Sequence, residues 1–436
     1  MSIPLSKHYE NFVKYNKYDK LNADQKEFAR IFFLGGNTLL TSSAGCGKTF
    51  VMDVICDFLY WRDFPIAKTA LTGVASLTLG GMTIYSWAGI GLGDEDVNSL
   101  LQKVRKNKKA KNRIKFTKIL VIDEISMMSA ALLDKLDIIF KEIRQDSAPF
   151  GGLKICAVGD YLQLLPIFKN TFGGGATFAF NATSWLKAKF KIVQLTTLIR
   201  QDNNSDFAKL LQNIRLGRDA DWAVLDSAMD RKIEQDSVIK IFCKNADVNK
   251  YNQEKLDSIK EQSKRYYCQD TGESRYSDYF DRNCPAPKTL ELKKGALVML
   301  LKNIDTEGGL VNGSTGICSG FTTDGVVVKF KNGKETIISN DTWEVKEQEV
   351  KEGKLKYKVV ASRCQIPLKL AFAATVHKIQ SQTLDAAHID FTGAFCEHQV
   401  YSALSRVKSI DGLTLSNFHP CQIKVNQECL EFYQKC

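Results

Sequence analysis

Residues 42–49 read Ser-Ser-Ala-Gly-Cys-Gly-Lys-Thr. They differ from the phosphate-binding pattern G-x-x-x-x-G-K-[ST] only in carrying Ser42 for its first glycine. Such a stretch can hold a polyphosphate. The expected nucleotide loop is Ser43, Ala44, Gly45, Cys46, Gly47, Lys48 and Thr49. The N–H groups from Gly45 to Lys48 would cradle phosphate oxygens at a helix N-terminus, Lys48 would neutralise the β- and γ-phosphates, and the Thr49 hydroxyl would ligate Mg²⁺. Ser42 is compatible with this if its φ stays negative. Further on, "ILVIDE" ends an apolar run in Asp123 and Glu124, at the kind of strand end where ligands of parallel sheets bind. Asp123 suits Mg²⁺ through water, and Glu124 suits a general base that orients and deprotonates an attacking water. A glycine-rich turn alone can arise by chance, and a D-E pair ending a strand is common. The two in this order specify a site for ATP hydrolysis, with ATP and Mg²⁺ as cofactors.

Those groups need elements to hold them. "NTLLT" (37–41), "IAKTAL" (66–71), "KILVID" (118–123), "LKICAV" (153–158) and "KIVQL" (191–195) read as buried strands. Between them Val51, Ile55, Phe58 and Leu59 recur at helical spacing, as do Leu132, Leu136, Ile139 and Ile143. Strands alternating with helices predict a doubly wound, parallel α/β sheet. A second α/β pattern starts after residue 200 with "SDFAKLLQNIRLG", a helix capped by Ser205, striped by Phe207, Leu210, Leu211 and Ile214, and stopped at Gly217. Residues 255–287 are polar and turn-rich and predict surface loops. From about 290 to 365 the period becomes two, with a hairpin around Asn332-Gly333, and the pattern predicts a small β-barrel or meander. Residues 366–436 return to α/β character.

A chain of 436 residues exceeds one compact core, so roughly two to four domains are expected. It has no apolar run long enough for a bilayer and no secretory h-region, which predicts an intracellular protein, nuclear or cytoplasmic, with no membrane partner. The 12 cysteines include no C-x-x-C pair and the 5 histidines do not cluster with them, so reduced thiols and no structural metal are expected. Net charge is +11, and its placement says more than its size. Between Asp96 and Asp123 no acid occurs, while Lys103, Arg105, Lys106, Lys108, Lys109, Lys111, Arg113, Lys115 and Lys118 crowd together. A run of one sign points to a polyanion, most simply a nucleic acid backbone.

The motifs also occur in a recognisable order. Gln25 in "LNADQKEF", "SSAGCGKT", "TALTGVASLTLGGMTIYSWAGIG", "VIDEISMM", "GDYLQLLPI", "TLIRQ", "AATVHKIQSQTLD" and "YSALSRVKS" follow the sequence of superfamily-one helicase motifs. "LLDKLDIIFKEIRQDSAPFGGLKICAVGDYLQLLPI" resembles the signature segment of the PIF-type (petite integration frequency) DNA helicases, and "LKKGALVMLLKNID" with "GLVNGSTG" is similar to that family too. The resemblance runs from about residue 20 to 415. It implies two RecA-like P-loop domains with ATP between them, moving 5′→3′ on single-stranded DNA and opening duplex or fork junctions, as a monomer. The expected division is a first RecA-like domain at 1–200, carrying a small basic wedge at about 91–117. A second RecA-like domain would comprise 201–289 and 366–436, with an SH3-like β-barrel inserted at 290–365. Position by position, Gln25 resembles the adenine-contacting glutamine and Gln163 the glutamine that senses the γ-phosphate. Arg200 and Arg406 resemble the arginines that the second domain presents to that phosphate.

On the strand side the resemblance implies backbone contacts from Thr72 and Gly73 and base stacking by Trp87, whose alternative is a core aromatic. It implies further contacts from His377 and Lys378, and phosphate contacts from the basic segment through lysines such as Lys106 and Lys109. The chain departs from the family pattern at Leu71, Leu165, Tyr85 and Ser381, where proline, proline, histidine and glycine are usual. None of the four removes a group the chemistry requires. A RecD-like or RNA-directed motor, or a weakly active nucleic-acid-binding clamp, remain the alternatives.

Overall fold

In the computed structural model the described residues are 4–165, 177–201, 205–231, 238–305, 308–330, 333–351, 354–380 and 382–435. The first half is built on a six-stranded, all-parallel sheet. Its strands are β1 (Thr38–Ser42), β2 (Ile66–Ala70), β3 (Met82–Thr83), β4 (Ile119–Asp123), β5 (Lys154–Val158) and β6 (Lys191–Leu195), in the order β3-β2-β4-β5-β1-β6. All five predicted strands lie here within a residue or so of their expected bounds. Every residue of β1 is buried, as expected of a strand covered by helices on both faces. The order decides where the chemistry lies. Leu40 is in register with Val158 and Ile122 with Ala157. The loops leaving β4, β5 and β1 therefore emerge side by side at one edge of the sheet.

The two predicted helices span Lys48–Tyr60 and Ala130–Arg144. The basic segment forms helices Val97–Lys106 and Lys108–Phe116, whose Leu100, Leu101, Val104 and Ile114 join the same core as Leu120, Leu136 and Phe140. The second half has a four-stranded parallel sheet, ordered Ala373–Thr375, Ile239–Phe242, Ala387–Asp390, Leu413–Ser416. The helix at Asp206–Arg215 covers it, with the Ser205 hydroxyl accepting from the Ala208 N–H and Gly217 at φ +62° just beyond. Both features match the predicted cap and stop.

Three expectations need correction. Residues 255–287 are not loops alone. They contain strands Ser263–Tyr267 and Gln269–Thr271 and the helix Ser274–Asn283, and the strands are held by antiparallel partners later in the chain that short-range periodicity cannot show. The period-two region is not one unit, although the predicted meander is borne out in its first part. Glu335–Ile338, Val326–Phe330, Thr315–Phe321, Leu297–Leu300 and Leu368–Leu370 form an antiparallel five-stranded sheet in that order. The long hairpin Asp341–Lys351/Lys354–Gln365 leaves that sheet and lies against the first domain. Asn332 of the predicted turn lies outside the described residues. Finally, residues 366–436 do not all belong to the second domain. The helix Gln427–Gln434 buries Cys429 and packs Leu430, Phe432 and Tyr433 into the first domain's core. Its Phe432 ring stacks on Phe180 at 4.3 Å between centroids.

Candidate active site

The phosphate loop joins β1 to the helix that starts at Lys48. Gly45 and Gly47 stand at φ +89° and +82°, conformations open to glycine at no steric cost. A Cβ on Gly45 would sit 2.6 Å from the Arg200 Cβ, and one on Gly47 2.6 Å from Gln25 Nε2. Both glycines are thus fixed by backbone conformation and by close approach. Ser42 ends β1 in extended conformation, fully buried, so its side chain costs the loop nothing. Lys48 Nζ donates to Ser42 O (3.0 Å), Ser42 Oγ (2.9 Å) and Ser43 O (3.3 Å). Among the described residues no carboxylate pairs with it, and burial lowers its pKa. A half-buried ammonium held only by neutral oxygens, beside a glycine cradle at a helix N-terminus, fits a polyphosphate.

Asp123 and Glu124 leave β4 next to this loop, with Glu124 in the left-handed region at φ +54°. The Glu124 N–H donates to Asp123 Oδ1 (2.9 Å). Burial, and then the Asp123 charge, push the Glu124 carboxyl up to about 7, and burial also raises Asp123. Two half-buried carboxylates in one mouth are costly until a cation joins them. With the exposed Thr49 hydroxyl on the adjoining helical turn, Asp123 forms a donor set of hard oxygens that fits Mg²⁺.

The opposite wall comes from the second half. Arg406 is 2% exposed. Its Nε donates to Ser402 O (3.0 Å), and Nη2 donates to Ser405 Oγ (3.0 Å) and Gln163 Oε1 (3.4 Å). Arg200 lies on the loop's outer side, where Nε donates to Thr383 Oγ1 (2.9 Å) and Nη1 to Ser405 O (2.8 Å). Burial and the neighbouring Arg406 charge bring Arg200 down to about 9. Lys48, Glu124, Gln163, Arg200 and Arg406 are thereby brought to one cleft. Gln25 reaches it too, but is occupied there. Its Oε1 accepts from the Asn22 N–H (3.1 Å) in a capping box, and its Nε2 faces the carbonyls of Cys46 (3.5 Å) and Gly47 (3.4 Å). The Ala44 N–H is likewise engaged, donating to Tyr401 Oη (3.0 Å).

The sequence reading missed Asp160, Arg215, Tyr401, Tyr433 and Ile199. Asp160 accepts from the Leu162 N–H (3.1 Å) and Gln163 Nε2 (3.0 Å), and pairs with Arg215 at 2.8 Å with both side chains at most 2% exposed. Burial alone would raise its carboxyl, but the Arg215 charge and hydrogen bonds hold it down to about 2. Arg215 carried one signal, a guanidinium four residues after Leu211 on the buried stripe. Tyr433 carried none. Ile199 is 60% exposed beside Gly47 and Gln25, an apolar surface suited to a base.

The candidate strand contacts divide. His377 and Lys378 are exposed just after Ala373–Thr375. Thr72 caps the helix Gly73–Thr78 by accepting from the Ala75 N–H (3.1 Å), and Gly73 lies under Asn283, whose Oδ1 would be 2.0 Å from an added Cβ. Trp87 is a correction. It is 1% exposed, its Nε1 donates to Gln348 Oε1 (2.9 Å) and its ring meets Phe140 edge-on, so it is a core aromatic that no base reaches. In the basic segment Arg113 is also internal, donating to the carbonyls of Trp87 (2.9 Å) and Ser86 (2.8 Å). Lys103, Arg105 and Lys109 pair with Glu95, Glu142 and Glu347. Lys106, Lys108, Lys111, Lys115 and Lys118 form no ion pair among the described residues. Ser381 lies outside those residues.

Two parallel-sheet domains facing each other across a phosphate loop, an acidic strand end and two arginines define the two-domain P-loop NTPase class. Within it, residues 20–223 match a family described as PIF1-like helicase, and residues 276–321 match the DNA helicase Pif1 2B domain. The chain is 33% identical to human ATP-dependent DNA helicase PIF1 over 95% of its own length and 63% of that protein's. It is 31% identical to Candida albicans Pif1 helicase, whose crystal structure it matches with a TM-score of 0.72 over 95% of this chain and 99% of that one. Bacteroides Pif1 (28% identical, 95% and 96% covered) matches with a TM-score of 0.82 in its unliganded form and 0.60 when bound to ssDNA. The chain belongs to the PIF1-like helicase family. It spans less than two thirds of the length of its vertebrate relatives.

Proposed function

We propose that this chain is an ATP-dependent DNA helicase that moves 5′→3′ along single-stranded DNA and separates duplex at fork junctions. It would act as a monomer inside the cell, in DNA replication, repair or recombination. The observation that carries the reading is the placement of Arg406 across the cleft from Lys48 and Glu124, hydrogen-bonded to Gln163. Phosphoryl transfer needs positioning and charge stabilisation more than covalent chemistry, and an arginine supplied across a cleft is worth roughly 10³–10⁵ in rate. Hydrolysis thus becomes conditional on closure, and alternate closing and opening can walk two domains along a strand. ATP with Mg²⁺ supplies the scissile phosphoanhydride when bound. Lys48 holds the β- and γ-phosphates, Thr49 and Asp123 hold the metal, Glu124 takes the proton from the attacking water, and Gln163, Arg200 and Arg406 face the γ-phosphate. Gln25 and Ile199 flank the place left for the base. Thr72, Gly73, His377 and Lys378 contact the strand, and Lys106 with its basic neighbours contacts phosphates at the junction. The relatives named as ATP-dependent DNA helicases and the ssDNA-bound Bacteroides protein support this assignment.

Strand displacement tests it, on one partial duplex with a 5′ tail and one with a 3′ tail, with Lys48→Ala as control. Unwinding of the 5′-tailed duplex alone, abolished in Lys48→Ala, is expected. Unwinding of only the 3′-tailed duplex, or no ATP hydrolysis at all, would overturn it.

A further inference from the structure

The helix Gln427–Gln434 crosses from the second half of the chain to the first and ends beside the cleft. Its N-terminus is fixed by Asn426, whose side chain accepts from the Cys429 N–H (3.0 Å). Its body is fixed by Cys429 and Phe432 in the first domain's core. The last turn delivers Tyr433, whose hydroxyl meets three groups of the catalytic edge. It donates to Asp160 Oδ1 (3.2 Å), accepts from the Tyr161 N–H (3.2 Å) and shares a hydrogen bond with Thr41 Oγ1 (2.6 Å). The Arg215 guanidinium lies 5.5 Å from the centre of the same ring. Asp160 in turn carries Gln163 on its other oxygen, and Gln163 carries Arg406.

We infer that Tyr433 is a positioning residue for hydrolysis. Its hydroxyl fixes the Asp160 carboxylate, and through it the amide of Gln163, so that the glutamine presents its oxygen to Arg406 and its face to the γ-phosphate. The phenol touches neither nucleotide nor metal; it acts through Asp160. A carboxylate shared by an amide N–H, a side-chain amide, a guanidinium and a phenol has every lone pair spoken for, and such networks fix one geometry. The C-terminal helix thereby becomes a third contributor to a cleft otherwise lined by the two sheets. The inference rests on the γ-phosphate role proposed above for Gln163.

The test compares wild type, Tyr433→Phe, Gln163→Ala and the double variant by DNA-stimulated ATP hydrolysis, with melting temperatures measured alongside. Phenylalanine keeps the ring against Phe432 and Arg215 and removes only the hydroxyl. Tyr433→Phe is expected to lower kcat about tenfold, the rate equivalent of roughly 1.4 kcal/mol, with KM for ATP unchanged. In the Gln163→Ala background it should cause no further loss, since groups acting through one another are not additive. Cys429→Ala, which thins the buried face of the same helix and leaves the phenol's partners in place, is the control for a merely structural role. It should lower the melting temperature and leave kcat at the wild-type value. Wild-type kcat in Tyr433→Phe, or losses that multiply in the double variant, would overturn the inference while leaving the Gln163 assignment standing. Wild-type kcat in Gln163→Ala would instead remove that assignment, and the inference with it.

Discussion

The nucleotide cleft and the face where the long hairpin meets the first domain are both buried contacts between distant parts of the chain, but they are made of different material. In the cleft, charged and polar side chains from three loops at one sheet edge meet Arg406 from the second half and Arg200 from the segment that follows β6, and several of them hold partners that a ligand would replace. At the hairpin face the partners are final. Gln348 is 1% exposed, accepts from Trp87 Nε1 and donates to the Ile66 carbonyl (2.8 Å), while Tyr357 Oη accepts from the Lys68 N–H (3.1 Å). One contact is built to change its hydrogen bonds during a cycle and the other to keep them. Substitutions in the first should therefore act on rate, and substitutions in the second on docking.

The sharpest test of that division is Arg406→Ala. It is expected to lower kcat by roughly 10³–10⁵, because a charge aimed at the transferring phosphoryl group is lost. ADP affinity, read by fluorescence of a labelled nucleotide, should change little. A variant that hydrolyses ATP at the wild-type rate would make Arg406 a structural residue and erase the contrast.

Asp160→Asn comes next and sits between the two behaviours, since the Asp160–Arg215 pair is as dry as the hairpin face yet carries Gln163. Removing one member of a buried pair leaves the other uncompensated, a loss of about 3–5 kcal/mol, or a melting temperature lower by on the order of 10 °C. The sign of its pH dependence follows from the depressed carboxyl. The wild-type advantage is fully present above the ordinary aspartate value of 3.8 and disappears as pH falls toward about 2. Melting curves of both proteins from pH 7 downward check this. An advantage that grows on acidification would contradict the pairing.

What the sequence disclosed divides along the same line. Lys48, Thr49, Asp123 and Glu124 were legible because each sits in a contiguous motif whose local geometry, strand then turn then helix, already implies its role. The strands β1, β2, β4, β5 and β6 were legible because a buried parallel strand is an uninterrupted apolar run. Trp87 was not, because an aromatic flanked by small residues reads the same whether a base or a glutamine 261 positions away will meet it. Tyr433, Gln348 and the strands at 263–271 were hidden for that reason too: their meaning lies in partners far along the chain, and periodicity is blind to those. Gln348 was doubly hidden, as one polar residue in the alternating stretch "EVKEQEV".

Gln348→Ala should have a middling effect of a different kind. It leaves the Trp87 N–H and the Ile66 carbonyl buried without partners, at about 1–3 kcal/mol each. The cost is expected as faster amide exchange along 341–351 and 354–365, with kcat for ATP in the absence of DNA unchanged. Unaltered exchange would show that the hairpin is held by its other contacts, through Tyr357 and through the Lys109–Glu347 and Lys354–Asp63 pairs, and not by Gln348.

The smallest effect concerns the basic segment, where neighbouring lysines differ in a way the sequence could not show. Lys106 is exposed and unpaired among the described residues, whereas Lys109 is held 3.0 Å from Glu347. A lysine that neutralises a strand phosphate releases condensed counterions, so the slope of log K against log salt falls by about 0.7 for each contact removed from single-stranded DNA. Lys106→Ala should reduce the slope by that amount across any sequence. Lys109→Ala should reduce it by less, because its ammonium gives up an existing carboxylate partner to reach a phosphate, and Glu347 is freed in the variant to repel the strand at every salt concentration. Fluorescence anisotropy with a forked duplex bearing oligothymidine arms, at several salt concentrations, separates the two. Equal slope changes would mean that the Lys109–Glu347 pair opens freely when the strand arrives. The hairpin face would then be as changeable as the cleft, and the distinction between the two contacts would fail at its outer rim.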